Sequence, residues 1–491
     1  MRQRLSFLYT GIFLMLFAMG CAPEPEEKLP NIVYILADQW RASALGYAGD
    51  PNVKTPHLDR LASESFNFRN AVSVIPVCTP YRASLITGRY PTTTGMFLND
   101  AHLPQSEYGL GQVLSDRGYS TAYIGKWHLD GHGRHAFIPP ARRQGFLDYW
   151  KVGNCDHNYN HSHYYAGESD EKLHWEGYDV FAQTKDAQQY IQDQQGSDKP
   201  FALIISYGTP HFPHHTAPEE FKERYPLDQI ILPANVPESM AEEVKLEAQG
   251  YYAHCEALDQ SIGDLLATLE ELGISDNTLF VFTSDHGEML GSHGVRPKAK
   301  QVALAESARI PMLIRYPALH GTSGRVVETP ITTPDIFPTI FGLLGLSVPD
   351  TYEGDDLSQV LTDDIEVEDH AVLYMHPSPW GVGGEYERAY RAVKTSQYTY
   401  VRSLDGPWLL FDDNQDPLQM KNLVSDPEYA AVVDRLDGRL WRLLGKIGDE
   451  FHPAQWYLDR WNLKPGSHGS IPYDNEGTLP PQIPTLTKGA S

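Results

Sequence analysis

The sequence predicts an α/β fold: a doubly wound mixed sheet flanked by helices, followed by a smaller C-terminal α+β subdomain with an antiparallel sheet. From Pro30 onward, short apolar runs alternate with amphipathic stretches, which is the pattern of parallel strands joined by crossover helices. Near Asp364 the pattern changes, because the later apolar runs are separated only by short polar turns. The predicted divisions are a signal peptide over residues 1–20, a tether over 21–29, a large domain over 30–365, the antiparallel subdomain over 366–463 and an irregular tail over 464–491.

The N-terminal residues have the composition of an export signal. Arg2 and Arg4 precede an apolar run over residues 5–17, which is too short to span a membrane comfortably. Small residues directly before Cys21 resemble a bacterial lipoprotein cleavage site, at which Cys21 would be lipidated. We therefore expect export and a lipid anchor in the periplasm or at the surface of a Gram-negative bacterium. An ordinary signal peptide cut nearby is the alternative.

Four apolar runs predict the central strands of the large domain. They cover residues 32–37, 120–124, 201–206 and 278–282, and a polar cluster follows each run at once. The clusters are Asp38-Gln39, Lys126-Trp127-His128, Pro210-His211 and Asp285-His286. Because ligands bind outside the carboxyl ends of strands in doubly wound sheets, we expect the four clusters to converge on one edge.

Apolar spacing predicts the helices and the smaller subdomain. One helix precedes Gly118, and a long one over about residues 258–269 ends near Gly273. Further on, four short strands and one helix are predicted; the strands cover residues 372–375, 389–393, 398–401 and 409–411, and the helix covers about 429–444.

Charge and cysteine content limit the function classes. The formal net charge of −25 argues against nucleic acid as a partner, because the field of the protein repels polyanions, but a locally basic pocket could still bind a small anion. Of the four cysteines, Cys21 and Cys78 have other predicted uses. Nothing in the sequence supports a disulfide between the remaining two, Cys155 and Cys255.

The segment that begins at Cys78 carries the strongest signal. Cys78-Thr79-Pro80-Tyr81-Arg82, extended by Leu85, Thr87, Gly88 and Arg89, resembles the signature of the formylglycine-dependent sulfatases, a family of the alkaline phosphatase-like superfamily. The resemblance extends from about residue 31 to the Leu410-Phe411-Asp412 region. It implies the alkaline phosphatase-like form of the fold, and it implies that a formylglycine-generating enzyme oxidises Cys78 to formylglycine.

The resemblance also implies a metal site. The matching positions are Asp38, Gln39, the modified Cys78, Asp285 and His286, and their order is that of the family's calcium site, with magnesium as the alternative metal. Many relatives have Asp in place of Gln39 and Asn in place of His286. Because an imidazole is a less natural calcium ligand, this departure puts the identity of the metal in doubt.

By resemblance, a formylglycine hydrate offers two hydroxyls: one attacks sulfur, and the other expels sulfate and restores the aldehyde. Arg82 is expected to orient formylglycine, and Lys126 to contact both it and the sulfate. His128 takes a proton as sulfate leaves.

Two further residues are expected to bind the ester. His211 matches the residue that holds the ester oxygen and protonates the leaving alcohol, a role for which the adjacent His214 and His215 have no support. Lys300 matches the last sulfate contact, although Lys298 lies two positions away and competes for that assignment.

Two segments leave their role open. Residues 156–165 are dense in His, Asn and Tyr; they could bind a metal, face a sugar or form a solvated loop. Residues 376–391, which include Trp380, Arg388 and Arg391, are predicted to reach across the cleft.

The function that follows is hydrolysis of a sulfate ester on a sulfated carbohydrate such as ulvan, carrageenan or a glycosaminoglycan. Two alternatives remain. One is a phosphonate or phosphate ester hydrolase on the same scaffold, since the string Ala37-Asp38-Gln39-Trp40-Arg41 also occurs in phosphonate monoester hydrolases. The other is an inactive surface protein that binds sulfated glycans.

Overall fold

A computed structural model describes residues 29–466, except 364, 366 and 368, together with residues 469–472. The predicted signal peptide, Cys21, nearly all of the tether and most of the tail lie outside these residues. In the part that is described, no helix combines the length and apolar character needed to cross a membrane.

Strands and helices alternate along most of the described chain. The strands are β1 (Asn31–Asp38), β2 (Phe66–Phe68), β3 (Ala71–Val72), β4 (Ser120–Lys126), β5 (Tyr149–Gly153), β6 (His163–Ala166), β7 (Leu173–His174), β8 (Phe201–Pro210), β9 (Thr278–Ser284), β10 (Met312–Arg315), β11 (Arg325–Val327), β12 (Ile331–Thr332), β13 (Val372–His376), β14 (Tyr390–Lys394), β15 (Tyr398–Ser403) and β16 (Gly406–Asp412). The α-helices are α1 (Pro56–Ser63), α2 (Cys78–Thr87), α3 (Pro91–Thr94), α4 (Leu110–Asp116), α5 (Asp179–Asp193), α6 (Glu219–Lys222), α7 (Ala241–Glu271), α8 (Ala305–Ala308), α9 (Pro317–His320), α10 (Ile336–Leu343), α11 (Ser358–Thr362), α12 (Ala430–Ile447) and α13 (Ala454–Arg460).

The large sheet has the order β11-β2-β10-β9-β1-β8-β4-β5-β6-β7. Its four middle strands, β9, β1, β8 and β4, run parallel and correspond to the four predicted apolar runs. Strand β10 pairs antiparallel to β9, and β2 antiparallel to β10, so the sheet is mixed as predicted.

Helices cover both faces of this sheet. Alternate residues of β1 point to opposite faces, so Tyr34 joins one buried apolar cluster and Ile35 joins the other. On the second face the core includes Leu258 and Ile262 of the long helix α7, which packs against α5 and α1. Burial on both faces explains why the central strands are continuous apolar runs rather than alternating ones.

The smaller sheet is an antiparallel meander in the order β13-β14-β15-β16, as predicted. Helix α12 packs on it through Leu436, Leu440 and Leu444, which recur at helical spacing and are buried. The meander is tied to the large domain, because the Tyr374 hydroxyl donates to the carbonyl of Ala303 at 2.7 Å.

Candidate active site

The four polar clusters converge at the carboxyl edge of the parallel strands, as predicted. Asp38 ends β1 and Lys126 ends β4, while His211 and Asp285 directly follow β8 and β9. The buried Cys78 lies among them as the first residue of α2. This convergence follows from topology, because parallel strands end at the same edge of a sheet.

Cys78 lies in a strongly cationic pocket. Its Sγ atom is 3.2 Å from Nζ of Lys300, and α2 directs the positive end of its dipole toward it. Burial would raise the pKa of the thiol, but Lys126 and Lys300 outweigh burial and hold the pKa well below its usual value. An oxygen nucleophile made at position 78 would be stabilised as an anion in the same way.

Four of the predicted metal ligands lie together. Asp38, Cys78, Asp285 and His286 each offer one ligand atom, and these atoms lie within 4.8 Å of one another. The Nδ1 atom of His286 is 2.9 Å from the carbonyl of Gly287, to which it donates, and Nε2 faces the cluster, 3.3 Å from Sγ of Cys78. Two carboxylates and an imidazole nitrogen suit a divalent cation.

The two carboxylates of this cluster differ electrostatically. Burial and the neighbouring Cys78 act to raise the pKa of Asp38, but the charges of Lys126 and Arg82 hold it below its usual range. Burial and the neighbouring Asp38 raise the pKa of Asp285. A divalent cation would relieve the repulsion between the two carboxylates, which is a second reason why the cluster fits one.

The side-chain oxygen of Gln39 is turned toward Lys300, and Glu288 explains why. The Nε2 amide of Gln39 donates to the buried carboxylate of Glu288, which can only accept, so Oε1 of Gln39 points the other way, 3.2 Å from Nζ of Lys300. Glu288 was not predicted, although it follows Asp285-His286-Gly287 directly and a buried acid beside a metal sequence is a usable signal.

Arg82 contacts the carboxylates of the cluster. Its Nη2 atom lies 2.9 Å from Asp38 and 3.1 Å from Asp285, while Nη1 donates to Ser206 and to the Lys126 carbonyl. Its predicted role toward formylglycine remains a prediction, because these contacts are with the metal-ligand candidates.

Two lysines, Lys126 and Lys300, lie near Cys78, whereas Lys298 does not contact it. Lys126 contacts Asp38 at 2.7 Å. Lys300 lies within 3.2 Å of Cys78, His211 and His286. The competing Lys298 instead pairs with a glutamate outside the cluster, Glu247, at 2.7 Å.

His128 is held by an aspartate that the sequence analysis missed. Its Nε2 atom lies 2.9 Å from Oδ1 of Asp100, and Arg134 contacts both oxygens of Asp100 at 3.0 and 2.8 Å. Nδ1 of His128 is buried without a hydrogen-bond partner, and the ring lies beside the thiols of Cys78 and Cys155. Burial opposes the imidazolium, but Cys155 and Asp100 raise the pKa of His128 to about 10.

His211 is a neutral hydrogen-bond acceptor in this arrangement. Its Nδ1 donates to the carbonyl of Phe212 at 2.7 Å, so Nε2 accepts from Lys300 at 3.1 Å. Burial and the charge of Lys300 hold the pKa of His211 well below its usual value. His157, which belongs to the histidine-rich loop over residues 156–165, stacks on His211 with ring centroids 4.4 Å apart.

His214 and His215 lie apart from the cluster, in agreement with the sequence prediction. His214 is buried and bonds to Glu247 at 2.9 Å, and His215 is exposed. Cys155 and Cys255 are both buried and unpaired thiols, so no disulfide joins them.

The sequence left open the roles of two segments, residues 156–165 and 376–391, and the structure shows the contacts that each one makes. The loop over residues 156–165 is not simply solvated, because Tyr159 is buried and donates to the Gly208 carbonyl. In the segment 376–391, the Trp380 main chain bonds to Gln301, next to Lys300. The prediction was wrong for Arg391, which is fully buried in an ion pair with Asp449 because it faces α13 rather than the cleft.

The sulfatase family model matches residues 30–346, and the model for the C-terminal region of N-sulphoglucosamine sulphohydrolase matches residues 291–446. The chain is 49% identical over 451 residues to an ulvan-active sulfatase of Formosa agariphila, covering 92% of this chain and 88% of that protein. It is 30% identical to an endo-4-O-sulfatase of Bacteroides thetaiotaomicron, covering 92% and 99% of the two chains. The crystal structure of the sulfatase candidate YidJ from Bacteroides fragilis superposes with a TM-score of 0.77 at 30% identity, covering 89% and 100%.

Proposed function

Because the chain belongs to the sulfatase family and is a sulfuric ester hydrolase, we propose that it removes sulfate from a sulfated carbohydrate, using a formylglycine made from Cys78 and a calcium ion. One structural observation carries the proposal: Cys78 begins a helix in a buried cluster that holds two lysines, Lys126 and Lys300, and candidate metal ligands. Such a pocket is complementary to a sulfate group and to the charge that develops on it.

For the substrate we propose ulvan-derived oligosaccharides. The support is the 49% identity to an ulvan-active sulfatase over nearly the whole chain. Carrageenan and glycosaminoglycan sulfates are the competing substrates.

In the proposed mechanism, side chains of this protein bind and orient the ester. Lys126 and Lys300 lie on the cationic side of position 78, where they neutralise the sulfate oxygens. Arg82 donates hydrogen bonds to Asp38 and Asp285 and so keeps both carboxylates in place. A calcium ion held by Asp38, Gln39, Asp285 and His286 would stabilise the negative charge of an oxyanion at position 78.

Proton transfer at position 78 is assigned to His128. Asp100 accepts from Nε2, so Nδ1, which is buried without a hydrogen-bond partner, is the nitrogen left to exchange a proton with position 78. His128 and Arg134 outweigh burial and hold the pKa of Asp100 below its usual range, so the carboxylate stays ionised. Asp100 thus acts as a positioning residue for His128.

The proton for the leaving alcohol is assigned to the pair formed by Lys300 and His211. In the free protein Lys300 donates to Nε2 of His211. When the ester oxygen of the substrate approaches Nε2 of His211, the ammonium of Lys300 is the nearest group that can donate a proton to that oxygen. His157, stacked on His211, keeps the imidazole plane fixed.

We further propose that a formylglycine-generating enzyme matures Cys78 and that the protein is exported and lipid-anchored through Cys21. Support comes from the Cys78–Arg82 signature and from the leader composition of residues 1–20.

The test is the mass of the peptide that contains Cys78, taken from protein co-expressed with a formylglycine-generating enzyme. We expect conversion of the thiol to the aldehyde and loss of activity in Cys78→Ala. If the protein is active while Cys78 remains an unmodified thiol, the mechanism is refuted. If Cys78 is unmodified and the protein is also inactive, a protein that only binds sulfated glycans is the better explanation.

A second assay discriminates the ester class. Turnover of matched aryl sulfate and aryl phosphonate esters is compared, and we expect the sulfate to react faster. A clear phosphonate preference would favour the alternative suggested by Gln39. A panel of sulfated ulvan, carrageenan and glycosaminoglycan oligosaccharides then tests the substrate assignment.

A further inference from the structure

A second histidine and carboxylate cluster lies outside the catalytic one. His135, Asp156 and His163 each offer one ligand atom, and these atoms lie within 4.8 Å of one another. Asp156 and His163 come from the loop dense in histidine and from strand β6, and His135 comes from the segment after β4. The catalytic roles assigned above use none of these side chains.

Hydrogen bonds hold the cluster in place before any ion binds. The carboxylate of Asp156 accepts the main-chain N–H groups of Asn158 at 3.0 Å and His163 at 3.1 Å, and Nδ1 of His163 lies 2.6 Å from it. The main-chain carbonyl of His135 accepts from the hydroxyl of Tyr165 at 2.9 Å. Little conformational freedom therefore remains to be lost when a ligand binds.

The two imidazoles of the cluster lie side by side, with the ring centroids of His163 and His135 4.6 Å apart. Nε2 of His163 is buried without a hydrogen-bond partner, which leaves one nitrogen of that ring for an ion. His135 is exposed and Asp156 is partly exposed, which gives an ion a route from solvent.

A similar trio elsewhere in the described chain shows what distinguishes this cluster. His102, Asp130 and His132 also lie within 4.8 Å, but Arg142 donates to Asp130 at 3.0 Å. No Arg or Lys contact of this kind is found at Asp156 among the described residues.

The geometry points to a second metal site, at which His135, Asp156 and His163 bind a divalent transition-metal ion such as Zn²⁺. Two imidazoles and one carboxylate favour zinc over calcium, which prefers oxygen ligands. Three protein ligands leave the remaining positions to water. The site adjoins the catalytic cluster, since Asp156 lies between Cys155 and His157, but it does not depend on the proposed reaction.

The test measures Zn²⁺ binding to the full chain in excess Ca²⁺, which occupies the oxygen-rich catalytic cluster. Wild type is compared with His135→Ala, which removes an exposed ligand, and with Asp156→Asn, which removes the charge. The matched control is His174→Ala, which removes an exposed histidine that stacks on His161 and lies opposite His163 in the strand pair without being one of the three ligands. Equilibrium dialysis with metal analysis gives the stoichiometry and affinity, and Co²⁺ absorption reports the ligand field.

We expect His135→Ala and Asp156→Asn to bind one Zn²⁺ fewer per chain, or to bind it more weakly by at least the roughly 10–100-fold that loss of an outer-shell partner costs. His174→Ala should bind as wild type does. Equal binding by wild type and His135→Ala would overturn the site, as would loss of Zn²⁺ in His174→Ala alone. Circular dichroism of each variant shows that any loss is not unfolding.

Discussion

Nε2 of His128 lies 2.9 Å from Oδ1 of Asp100, so the buried imidazole has a carboxylate on one side and position 78 on the other. A carboxylate on one nitrogen fixes the tautomer and orientation of a histidine that moves a proton at its other nitrogen. Arg134, bound to both oxygens of Asp100, makes the pair part of a longer ion network.

Asp100→Asn should lower kcat by roughly 10²–10⁴-fold, the range that general-base catalysis contributes, and should leave KM nearly unchanged. The reason is that a neutral amide neither raises the pKa of His128 nor fixes its orientation as the carboxylate does. Steady-state kinetics on a soluble aryl sulfate measure both parameters. Asp116→Asn, at an exposed carboxylate bonded to Tyr108, is the control. A kcat within twofold of wild type would show that His128 needs no such partner.

Lys300→Ala should lower kcat/KM by roughly 10²–10³-fold, as expected for loss of one charged donor to the reacting group. Lys298→Ala should stay within a few-fold of wild type, because Lys298 pairs with Glu247 outside the cluster. The two variants remove the same side chain two positions apart, so folding effects are matched. If Lys298→Ala were the more damaging variant, the assignment of Lys300 would be wrong.

Glu288→Gln should weaken Ca²⁺ binding by roughly 10–100-fold, the usual effect of losing an outer-shell partner. A glutamine at 288 no longer dictates that the Gln39 amide nitrogen faces it, so Oε1 of Gln39 is not held toward the cluster. Calorimetric titration of the metal-depleted protein measures the affinity. Glu247→Gln, a change at a carboxylate bonded to His214 and Lys298, should bind Ca²⁺ normally. Unchanged affinity in Glu288→Gln would mean that Gln39 does not depend on Glu288.

Asp179→Asn should stabilise the protein, and more so as the pH rises. Burial raises the pKa of Asp179 to about 7, and only one of its oxygens has a partner, at 2.7 Å from Ser162. The folded state therefore binds more protons than the unfolded state between about pH 4 and 7, and stability falls as pH rises through this window.

Between pH 5 and pH 8 the advantage of Asp179→Asn over wild type should grow by about 2–3 kcal/mol, seen as a difference in Tm of several degrees. Asp186→Asn is the control, because that carboxylate on the same helix is paired with Lys151 and gives no reason for a gain at high pH. An advantage that stayed constant or shrank with rising pH would contradict the raised pKa.

Much of the fold followed from local pattern. The four central strands were predicted because strands buried on both faces are continuous apolar runs, and the meander after residue 370 because its strands are separated by short turns. The site's location followed from one topological fact, that parallel strands end at the same edge. The residues around Cys78 were predicted by resemblance of the Cys78–Arg82 segment and the clusters after each strand.

What the sequence could not supply was the choice among partners. The resemblance assigned Lys300 with Lys298 as a competitor two positions away, and the path of the loop after β9 is what sends Lys298 to Glu247 and Lys300 to Cys78. Asp100 and Glu288 carry no periodic signal, because a hydrogen-bond partner is set by where two distant side chains meet.

The sequence by itself thus indicated the four central strands and the candidate site residues Cys78, Asp38 and Asp285. The tertiary structure decided the orientation of Gln39, the pairing of His128 with Asp100 and the grouping of His135 with Asp156 and His163. The physical reason is that burial and periodicity act within a few residues, whereas hydrogen bonds and charge interactions depend on distances between atoms that lie far apart in the chain.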